Sequence, residues 1–344
     1  MSYRKFIHII QYIIFGTLVS AFSLPASAED EVVNVYSARK EALIQPILDQ
    51  FSKKYEIQVN LVTGKADALI QRLNSEGEFS PADVLITTDA GRLHRAKDID
   101  VIQPVKSSKL ESLVPANFRD QKGYWYGLSV RARTIVFNPK KVRPGELSTY
   151  EALTDKKWNK RICVRSSNNI YNQSLVASMI VHFGKEKTEA WAHDFVKNFA
   201  RKPQGGDRDQ IKAVSAGQCD IALVNTYYLG KMLLDENQSS AASAVTVFWP
   251  NQNDRGVHVN VSGAAVTAAS KNKHAAIRLI EFLASDEAQK WYAENNQEYP
   301  IRDGIEVSPI LQNWGTFKAD SLSLHELGER NADAVRVMDR AGWK

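Results

Sequence analysis

Three tyrosines in two separate segments have the residue types and sequence context of a binding site. Tyr227 and Tyr228 lie two residues beyond the apolar run 219–224, which is short enough to be a buried strand, and Tyr171 follows a polar stretch at 166–169. An adjacent aromatic pair is more commonly part of a hydrophobic core than of a site. We expect the strand to deliver the pair to a loop, where both hydroxyl groups can still turn toward one cleft.

Phenol groups suit one class of metal ion. A tyrosine has a pKa near 10, so at neutral pH only a small, highly charged cation such as Fe³⁺ displaces its proton. Three phenolates balance three positive charges, and a small anion or water would fill the remaining coordination positions. Zinc or copper would need His or Cys ligands, and the seven histidines do not cluster in the sequence. Tyr171, Tyr227 and Tyr228 are therefore the candidate metal ligands.

Several cationic and polar residues are placed to hold such an anion. Arg39 follows the first predicted strand, and Arg131 lies on a long strand further along the chain. Ser166 stands just before a predicted helix start, where backbone N–H groups attract anions, and Asn225 precedes the tyrosine pair. These four residues are the candidates for anion binding or for the shell around the metal.

Strands and helices alternate along the chain. β-branched runs predict strands, and apolar residues at helical spacing predict the helices between them. The first elements are strands at 32–36, 57–62 and 81–88 and helices at 42–55 and 64–73. Such alternation predicts an α/β fold, a mainly parallel sheet flanked by helices. Ligands of these sheets bind at the carboxyl ends of the strands, where Arg39 lies.

Two long alternating segments are predicted to join two lobes. Residues 128–138 are long enough to cross between lobes, and 257–268 are the expected return crossing. Two lobes joined in this way close on a ligand by hinge motion. The predicted organisation is a cleaved signal peptide at 1–28, an amino-terminal lobe at 29–130, a carboxy-terminal lobe at 131–258, a return to the amino-terminal lobe at 259–305, and a helical tail at 306–344 packing on the carboxy-terminal lobe.

The first 28 residues predict export. Arg4 and Lys5 precede an apolar stretch at 6–22, and a run of small residues ending at Ala28 has the form of a signal-peptidase site. Cleavage after Ala28 would release a soluble protein into the periplasm. The two basic residues would leave with the leader, so the formal charge of +5 would fall to about +3.

Charge and cysteine content narrow the function further. Acidic and basic residues are mixed throughout the chain, so the sequence lacks the clustered basic residues that are typical of a nucleic-acid-binding surface. Cys163 and Cys219 each lie in an apolar, strand-like run. A disulfide in an oxidising compartment and two buried free thiols are both compatible with this pattern.

Several motifs together resemble the periplasmic ferric-ion-binding proteins of bacterial ABC importers. They are the leader, Val35-Tyr36-Ser37-Ala38-Arg39, Ser80-Pro81-Ala82-Asp83-Val84, Tyr171-Asn172-Gln173-Ser174 and Asn225-Thr226-Tyr227-Tyr228. The resemblance covers essentially the whole mature chain. It implies two lobes of the type II periplasmic-binding-protein fold, Fe³⁺ bound by the three tyrosines, and Arg39 close to a carbonate-like anion. It also implies a monomer whose partner is an inner-membrane ABC permease.

The chain departs from parts of that family's pattern. Lys40-Glu41 stand where some members carry a His or a His-Tyr pair, and Thr88 stands where some carry a Glu. This favours the subgroup that uses three tyrosines and an exogenous anion. Glu41, Tyr36 and Thr88 are the further candidates for cleft residues.

A different ligand would give these residues other roles. An organic cation, a sugar phosphate or an oxyanion would use the tyrosines as hydrogen-bonding groups. Arg39, Arg131 and Arg133 would suit the anionic ligands.

An enzyme on the same architecture would need a catalytic group, and none is predicted. Cys163 lies far in sequence from a well-placed histidine base, and Ser166 and Ser167 lack the Gly-x-Ser-x-Gly pattern. Asp207 and Asp209 are expected to be solvated or to cap a helix.

Overall fold

The computed structural model describes residues 31–344. The predicted leader and its cleavage after Ala28 lie outside these residues. The strands are β1 (Val32–Ser37), β2 (Gln58–Thr63), β3 (Val84–Thr88), β4 (Ile102–Gln103), β5 (Tyr126–Phe137), β6 (Ile162–Cys163), β7 (Ile221–Asn225), β8 (Thr246–Phe248) and β9 (Val259–Thr267). The helices are α1 (Gln45–Tyr55), α2 (Ala66–Glu76), α3 (Ala90–Asp98), α4 (Ser108–Leu113), α5 (Ile170–Phe183), α6 (Lys185–Lys197), α7 (Asp207–Ser215), α8 (Thr226–Leu233), α9 (Ser239–Ser243), α10 (Lys273–Leu283), α11 (Asp286–Trp291), α12 (Pro309–Asn313), α13 (His325–Glu329) and α14 (Asn331–Arg340).

The strands pair in the order β2-β1-β3-β9-β5-β7-β6, with β4 on β9 and β8 on β5. At one end β1 is parallel to β2 and β3, and at the other β6 is parallel to β7. The pairs that join the two ends are antiparallel. This is the mixed sheet of an α/β protein in which parallel units meet through long antiparallel strands.

The crossing predicted for 128–138 is confirmed by the pairing of β5. Its first part, 126–132, pairs with β9, and its last part, 133–137, pairs with β7 and β8. We call the part of the sheet from β2 to the first half of β5 the amino-terminal lobe, and the part from the second half of β5 to β6 the carboxy-terminal lobe. The predicted lobe boundaries stay predictions.

The return crossing is shorter than the predicted segment 257–268. Strand β9 pairs with β3, β4 and the first part of β5, so it lies wholly in the amino-terminal lobe. The chain passes between the lobes just before β9, where the N–H of Arg133 donates to the carbonyl of His258 at 2.9 Å. Alternating apolar residues therefore indicated a strand but not which lobe it joins.

Helix boundaries follow local chemistry. The apolar pattern from Ala42 predicts one helix, but α1 begins at Gln45 after a short 3₁₀ turn, because Pro46 favours a first helical turn. The pattern from Ala275 to Trp291 is divided into α10 and α11. Ser285 stands in extended conformation at the division, as a residue that starts a new helix does.

The structure pairs the two cysteines. Cys163, in β6, and Cys219, just before β7, form a disulfide with their Cα atoms 5.8 Å apart. The bridge lies in a small apolar cluster of the carboxy-terminal lobe that includes Ile211 and Val224, apart from the main core. It ties together two neighbouring strands of that lobe.

The last helices contact both lobes. Helix α14 packs on α5 and α6, while α13 packs on α3 and α5. The backbone N–H of Leu324 also donates to the carbonyl of Asn117, in the amino-terminal lobe. Across residues 31–344, none of the helices has the length and apolar character needed to cross a membrane.

Candidate metal centre

The three tyrosines meet at the starts of two helices. Tyr171 lies in the first turn of α5, and its hydroxyl is 3.5 Å from that of Tyr227. Tyr227 and Tyr228 lie in the first turn of α8, with ring centroids 4.1 Å apart. All three side chains are partly exposed.

The expected loop after β7 is absent, because α8 begins directly at Thr226. Asn225 ends the strand in an extended conformation at the N-cap position, so the chain turns from strand to helix within one residue. Its side-chain oxygen does not cap the helix but accepts a hydrogen bond from Arg133 at 3.2 Å. The tight turn fixes both phenol groups on a rigid element.

Arg131 is the cation closest to the tyrosine rings. Its guanidinium carbon is 5.3 Å from the ring centroid of Tyr171 and 6.0 Å from that of Tyr227. The side chain is buried, and Nη2 donates to the carbonyl of Val261 at 2.5 Å. Nε and Nη1 have no hydrogen-bond partner among residues 31–344. A buried arginine with two free donors beside a phenol cluster is well placed for an anionic ligand.

Arg133 uses both of its terminal nitrogens in hydrogen bonds with neighbouring groups, while its Nε has no partner in the described chain. It donates to Asp207 at 3.1 Å and to Asn172 at 2.6 Å, and it also reaches the carbonyl of Leu223. Asp207 is completely buried and lies 3.6 Å from Arg165 as well, so it is neither solvated nor a cap, whereas Asp209 caps α7 as expected by accepting from the N–H of Gly206 at 2.6 Å. At the start of α7, Asp207 neutralises part of the charge of the two arginines that lie near the ring of Tyr171.

The surroundings of the three tyrosines shift their pKa values in different directions. Burial raises the pKa of a phenol, but Arg131 and the hydrogen bond with Tyr227 outweigh burial at Tyr171, and the pKa of Tyr171 lies below its usual value. Burial and the neighbouring Tyr171 raise the pKa of both Tyr227 and Tyr228 well above 10. Tyr171 is therefore the phenol of the cluster that loses its proton most readily.

Arg39 makes its hydrogen bonds with residues other than the three tyrosines. Its guanidinium makes a bidentate ion pair with Glu298, at 3.0 and 3.1 Å, and donates to Ser262 at 2.8 Å. Ser129 also donates to Glu298. Arg39 and Glu298 are both buried, and each neutralises a charge of the other that would be costly to bury alone. Sequence reasoning missed Glu298, since it stands 259 residues after Arg39 and no local pattern links them.

The other candidate residues occupy different surroundings. Tyr36 donates to Glu76 at 3.0 Å, on the side of β1 that faces α2. Glu41 is exposed on the 3₁₀ turn before α1. The hydroxyl of Thr88 accepts from Arg92 at 3.3 Å. These contacts do not bring the three residues together with the tyrosines.

Ser166 lies in the loop before α5, close in sequence to Tyr171. Its hydroxyl accepts from the N–H of Asn168 at 3.4 Å, and its carbonyl accepts from Asn172 at 3.2 Å. The loop is thereby shaped by its own hydrogen bonds. Elsewhere in the described part of the chain, no group of three or more His, Cys, Asp or Glu residues has a geometry suited to a metal ion.

The chain is similar to known proteins over most of its length. Residues 79–319 match the family described as bacterial extracellular solute-binding protein. Iron uptake protein A1 of Synechocystis is 48% identical over 318 residues, which cover 92% of this chain and 88% of that protein.

Solved structures are similar as well. The Trichodesmium protein in complex with iron and citrate ligands has a TM-score of 0.89 at 48% identity, over 91% of this chain and all of that one. Apo ferric ion-binding protein A of Pasteurella haemolytica has a TM-score of 0.85 at 44% identity, over 91% of this chain and 98% of that one. These likenesses confirm the expected two-lobed, type II periplasmic-binding fold. The chain belongs to the bacterial extracellular solute-binding protein family.

Proposed function

We propose that this protein captures Fe³⁺ between its lobes through the phenolates of Tyr171, Tyr227 and Tyr228 and delivers it to an ABC permease. The observation that carries the proposal is the meeting of three phenol groups from two helix starts beside the buried Arg131. The relatives support it, since several are named for iron uptake or ferric-iron binding.

The charge balance favours a trivalent ion. Burial raises the pKa of Tyr171, but Arg131 and the neighbouring hydroxyl groups bring it below its usual value, whereas burial raises the pKa values of Tyr227 and Tyr228. Fe³⁺ displaces the phenol protons because three phenolates match its charge. A divalent ion would leave one negative charge uncompensated in a partly buried site.

A small anion such as carbonate would complete the coordination sphere. Arg131 supports this role through two donors that bond to no other described residue. The start of α5, near Ser166, and Asn225 at the start of α8 bring backbone N–H groups toward the same region. Arg39 is matched by Glu298, so Arg131 replaces it as the preferred anion contact.

The cellular role follows from the family and the leader. The protein would be exported to the periplasm with cleavage after Ala28, act as a monomer, and present a closed, iron-loaded form to an inner-membrane permease. It would perform no catalysis. Closure of two lobes around a ligand gives the permease a shape that the empty protein lacks.

Ferric citrate titration of the metal-free mature protein tests the proposal. Phenolates bound to Fe³⁺ give a visible charge-transfer band, so we expect one equivalent of iron to colour the native protein. The double variant Tyr227→Phe/Tyr228→Phe should stay colourless. Tyr55→Phe is the matched control, because Tyr55 lies on α1 among the rings of Phe51 and Phe282.

Each outcome separates the candidate ligands. A native protein that stays colourless and binds no iron would overturn the proposal. The other candidate is then an oxyanion or a sugar phosphate on Arg131, which calorimetry with phosphate would detect. An organic cation would instead be detected by titration with a quaternary amine.

A further inference from the structure

We infer that Asp89 and Ser174 form an interlobe joint that positions Tyr171 for metal binding. This inference rests on the proposed ferric site. Ser174 lies on α5 in the carboxy-terminal lobe, and its hydroxyl donates to Oδ1 of Asp89 at 2.7 Å. Asp89 stands between β3 and α3 in the amino-terminal lobe. Both side chains are completely buried.

Ser174 is connected directly to the metal centre. It follows Tyr171 by three residues on α5, so the two side chains lie on neighbouring positions of one helix face. A contact that holds Ser174 against the opposite lobe therefore also sets the orientation of the first turn of α5. That turn carries the phenol of Tyr171.

Asp89 is held in place by several independent contacts. Its Oδ1 also accepts from the N–H of Gly91 at 3.0 Å, and its own N–H donates to the carbonyl of Val261 at 2.8 Å. The backbone has φ of +84°, a conformation that costs a non-glycine residue free energy and that is common where function requires it. The N–H of the next residue, Ala90, donates to Asn260 at 2.8 Å.

Asp89 also faces the arginine of the site. Its Oδ2 is buried without a hydrogen-bond partner in the described chain; burial raises the pKa of this carboxyl group, and the hydrogen bond from Ser174 and the charge of Arg131 oppose that rise. Arg131 in turn contacts the ring of Tyr171. Direct contacts thus link Asp89 to Ser174 and, along α5, to Tyr171, while Arg131 contacts the ring of Tyr171 and acts on Asp89 through its charge alone.

Helix α13 covers the same joint. It packs on α3 and on α5, and a Cβ atom built on Gly328 would lie 2.2 Å from the Cβ of His94. Such close approach leaves no room for adjustment between α13 and α3. The joint is thus buried on its outer side, and its hydrogen bond is shielded from water, which strengthens it.

The variant Ser174→Ala removes the donor and keeps the helix. A buried hydrogen bond to a carboxylate is worth enough to change an equilibrium by about 10- to 100-fold. We therefore expect iron loaded into Ser174→Ala to transfer to a competing chelator ~10- to 100-fold faster than from the native protein. Ser174→Thr, which retains a hydroxyl group, should restore slow release.

Ser178→Ala is the matched control. Ser178 is also completely buried on α5, but its hydroxyl donates to Leu175 within the same helix, at 2.7 Å. A purely structural role for Ser174 would make both alanine variants similar in thermal stability and in release rate. If Ser174 forms the joint, only Ser174→Ala should release iron to the chelator faster.

Hydrogen exchange of the metal-free proteins tests the joint without iron. Amides at 88–92 and 170–174 should exchange faster in Ser174→Ala than in the native protein and Ser178→Ala. Equal exchange and equal iron release in the two alanine variants would overturn the inference. Iron binding that fails in the native protein, with exchange altered as expected, would reject the ferric proposal but retain the joint.

Discussion

The two sides of the cleft use their polar residues differently. On the carboxy-terminal side, three phenols crowd together, and Arg131, which β5 presents from the amino-terminal lobe, adds two donors that no described residue accepts. Farther into the amino-terminal lobe, charged and polar groups pair with one another, as the ion pair of Arg39 and Glu298 and the hydrogen bond of Tyr36 with Glu76 show. The tyrosines and Arg131 present groups that a ligand could bind, whereas Arg39 and Glu298 neutralise each other.

Because of this contrast, substitutions in the two groups of residues should affect different properties of the protein. Crowded phenols are costly to ionise together, and a metal ion relieves that cost. A satisfied buried ion pair instead stabilises the lobe that contains it, and it is costly to break. We therefore expect changes on the carboxy-terminal side to alter metal affinity, and changes at Arg39 or Glu298 to alter the free energy of unfolding.

The pH dependence of iron affinity is the largest effect that we expect. In the proposed site, Fe³⁺ would have to displace the protons of Tyr227 and Tyr228, whose pKa values are raised by burial and by Tyr171. The pKa of Tyr171 lies below its usual value, because Arg131 outweighs burial, so this proton is lost first as the pH rises. The logarithm of affinity should rise by about three per pH unit on the acidic side of that pKa and by about two above it.

Competition with a chelator of known protonation constants would measure this slope. Tyr171→Phe should bind more weakly and should lower the limiting slope on the acidic side from about three to about two. An affinity that stays constant between about pH 7 and pH 5 would contradict phenolate ligation, since neutral phenols would then be the binding groups.

Removal of the Glu298 carboxylate tests the amino-terminal side. Glu298→Gln leaves the buried Arg39 without a counter-charge, so we expect the free energy of unfolding to fall by about 3–5 kcal/mol. The charge-transfer band of the iron-loaded protein should keep its position, because Glu298 bonds to Arg39 and Ser129 and acts on the tyrosines only indirectly, through the charge of Arg131. Urea denaturation of the metal-free protein and a visible spectrum measure the two effects.

A second substitution provides the control. Arg39→Gln together with Glu298→Gln removes both charges, and this double variant should recover part of the stability lost in the single variant. A stable Glu298→Gln protein that no longer binds iron would reverse the assignment and make the amino-terminal pair part of the site.

The sequence indicated the fold more completely than the site. Hydrophobic periodicity located β5 and its crossing between lobes, because a long alternating strand is a local pattern. The partner of Arg39 was not local: Glu298 follows a short π-helical turn far along the chain. Asp207 is a similar case, since a carboxylate at a helix start is usually solvated and only tertiary packing brings Arg133 to it.

Acid unfolding must be separated from acid release of iron. Burial, with Arg255 and Arg133 nearby, lowers the pKa of His258 to about 3, so the folded protein keeps this histidine neutral. The unfolded chain protonates it below about pH 6.5. Between these values the unfolded state binds the extra proton, and stability should fall by about 1.4 kcal/mol per pH unit on acidification.

Denaturation of His258→Asn as a function of pH measures that contribution. The variant should lose this part of the acid sensitivity, while His193→Asn, which changes an exposed histidine, should behave as the native protein does. If the free energy of unfolding changed with pH by the same slope in the native and His258→Asn proteins, His258 would be protonated in the folded state. Iron release that persists in folded His258→Asn protein at low pH would assign release to the phenolates.

The smallest expected effect is that of Glu41→Gln, which tests whether the amino-terminal side adds a metal ligand. Glu41 is exposed on a 3₁₀ turn, and its removal should change the free energy of unfolding by no more than about 0.5 kcal/mol. Iron affinity measured by chelator competition should stay within about two-fold, which corresponds to less than 0.5 kcal/mol. A loss of about ten-fold or more, with a shifted charge-transfer band, would make Glu41 a ligand. The two sides of the cleft would then share the metal, and closure would depend on a direct bond to the amino-terminal lobe rather than on the joint at Asp89.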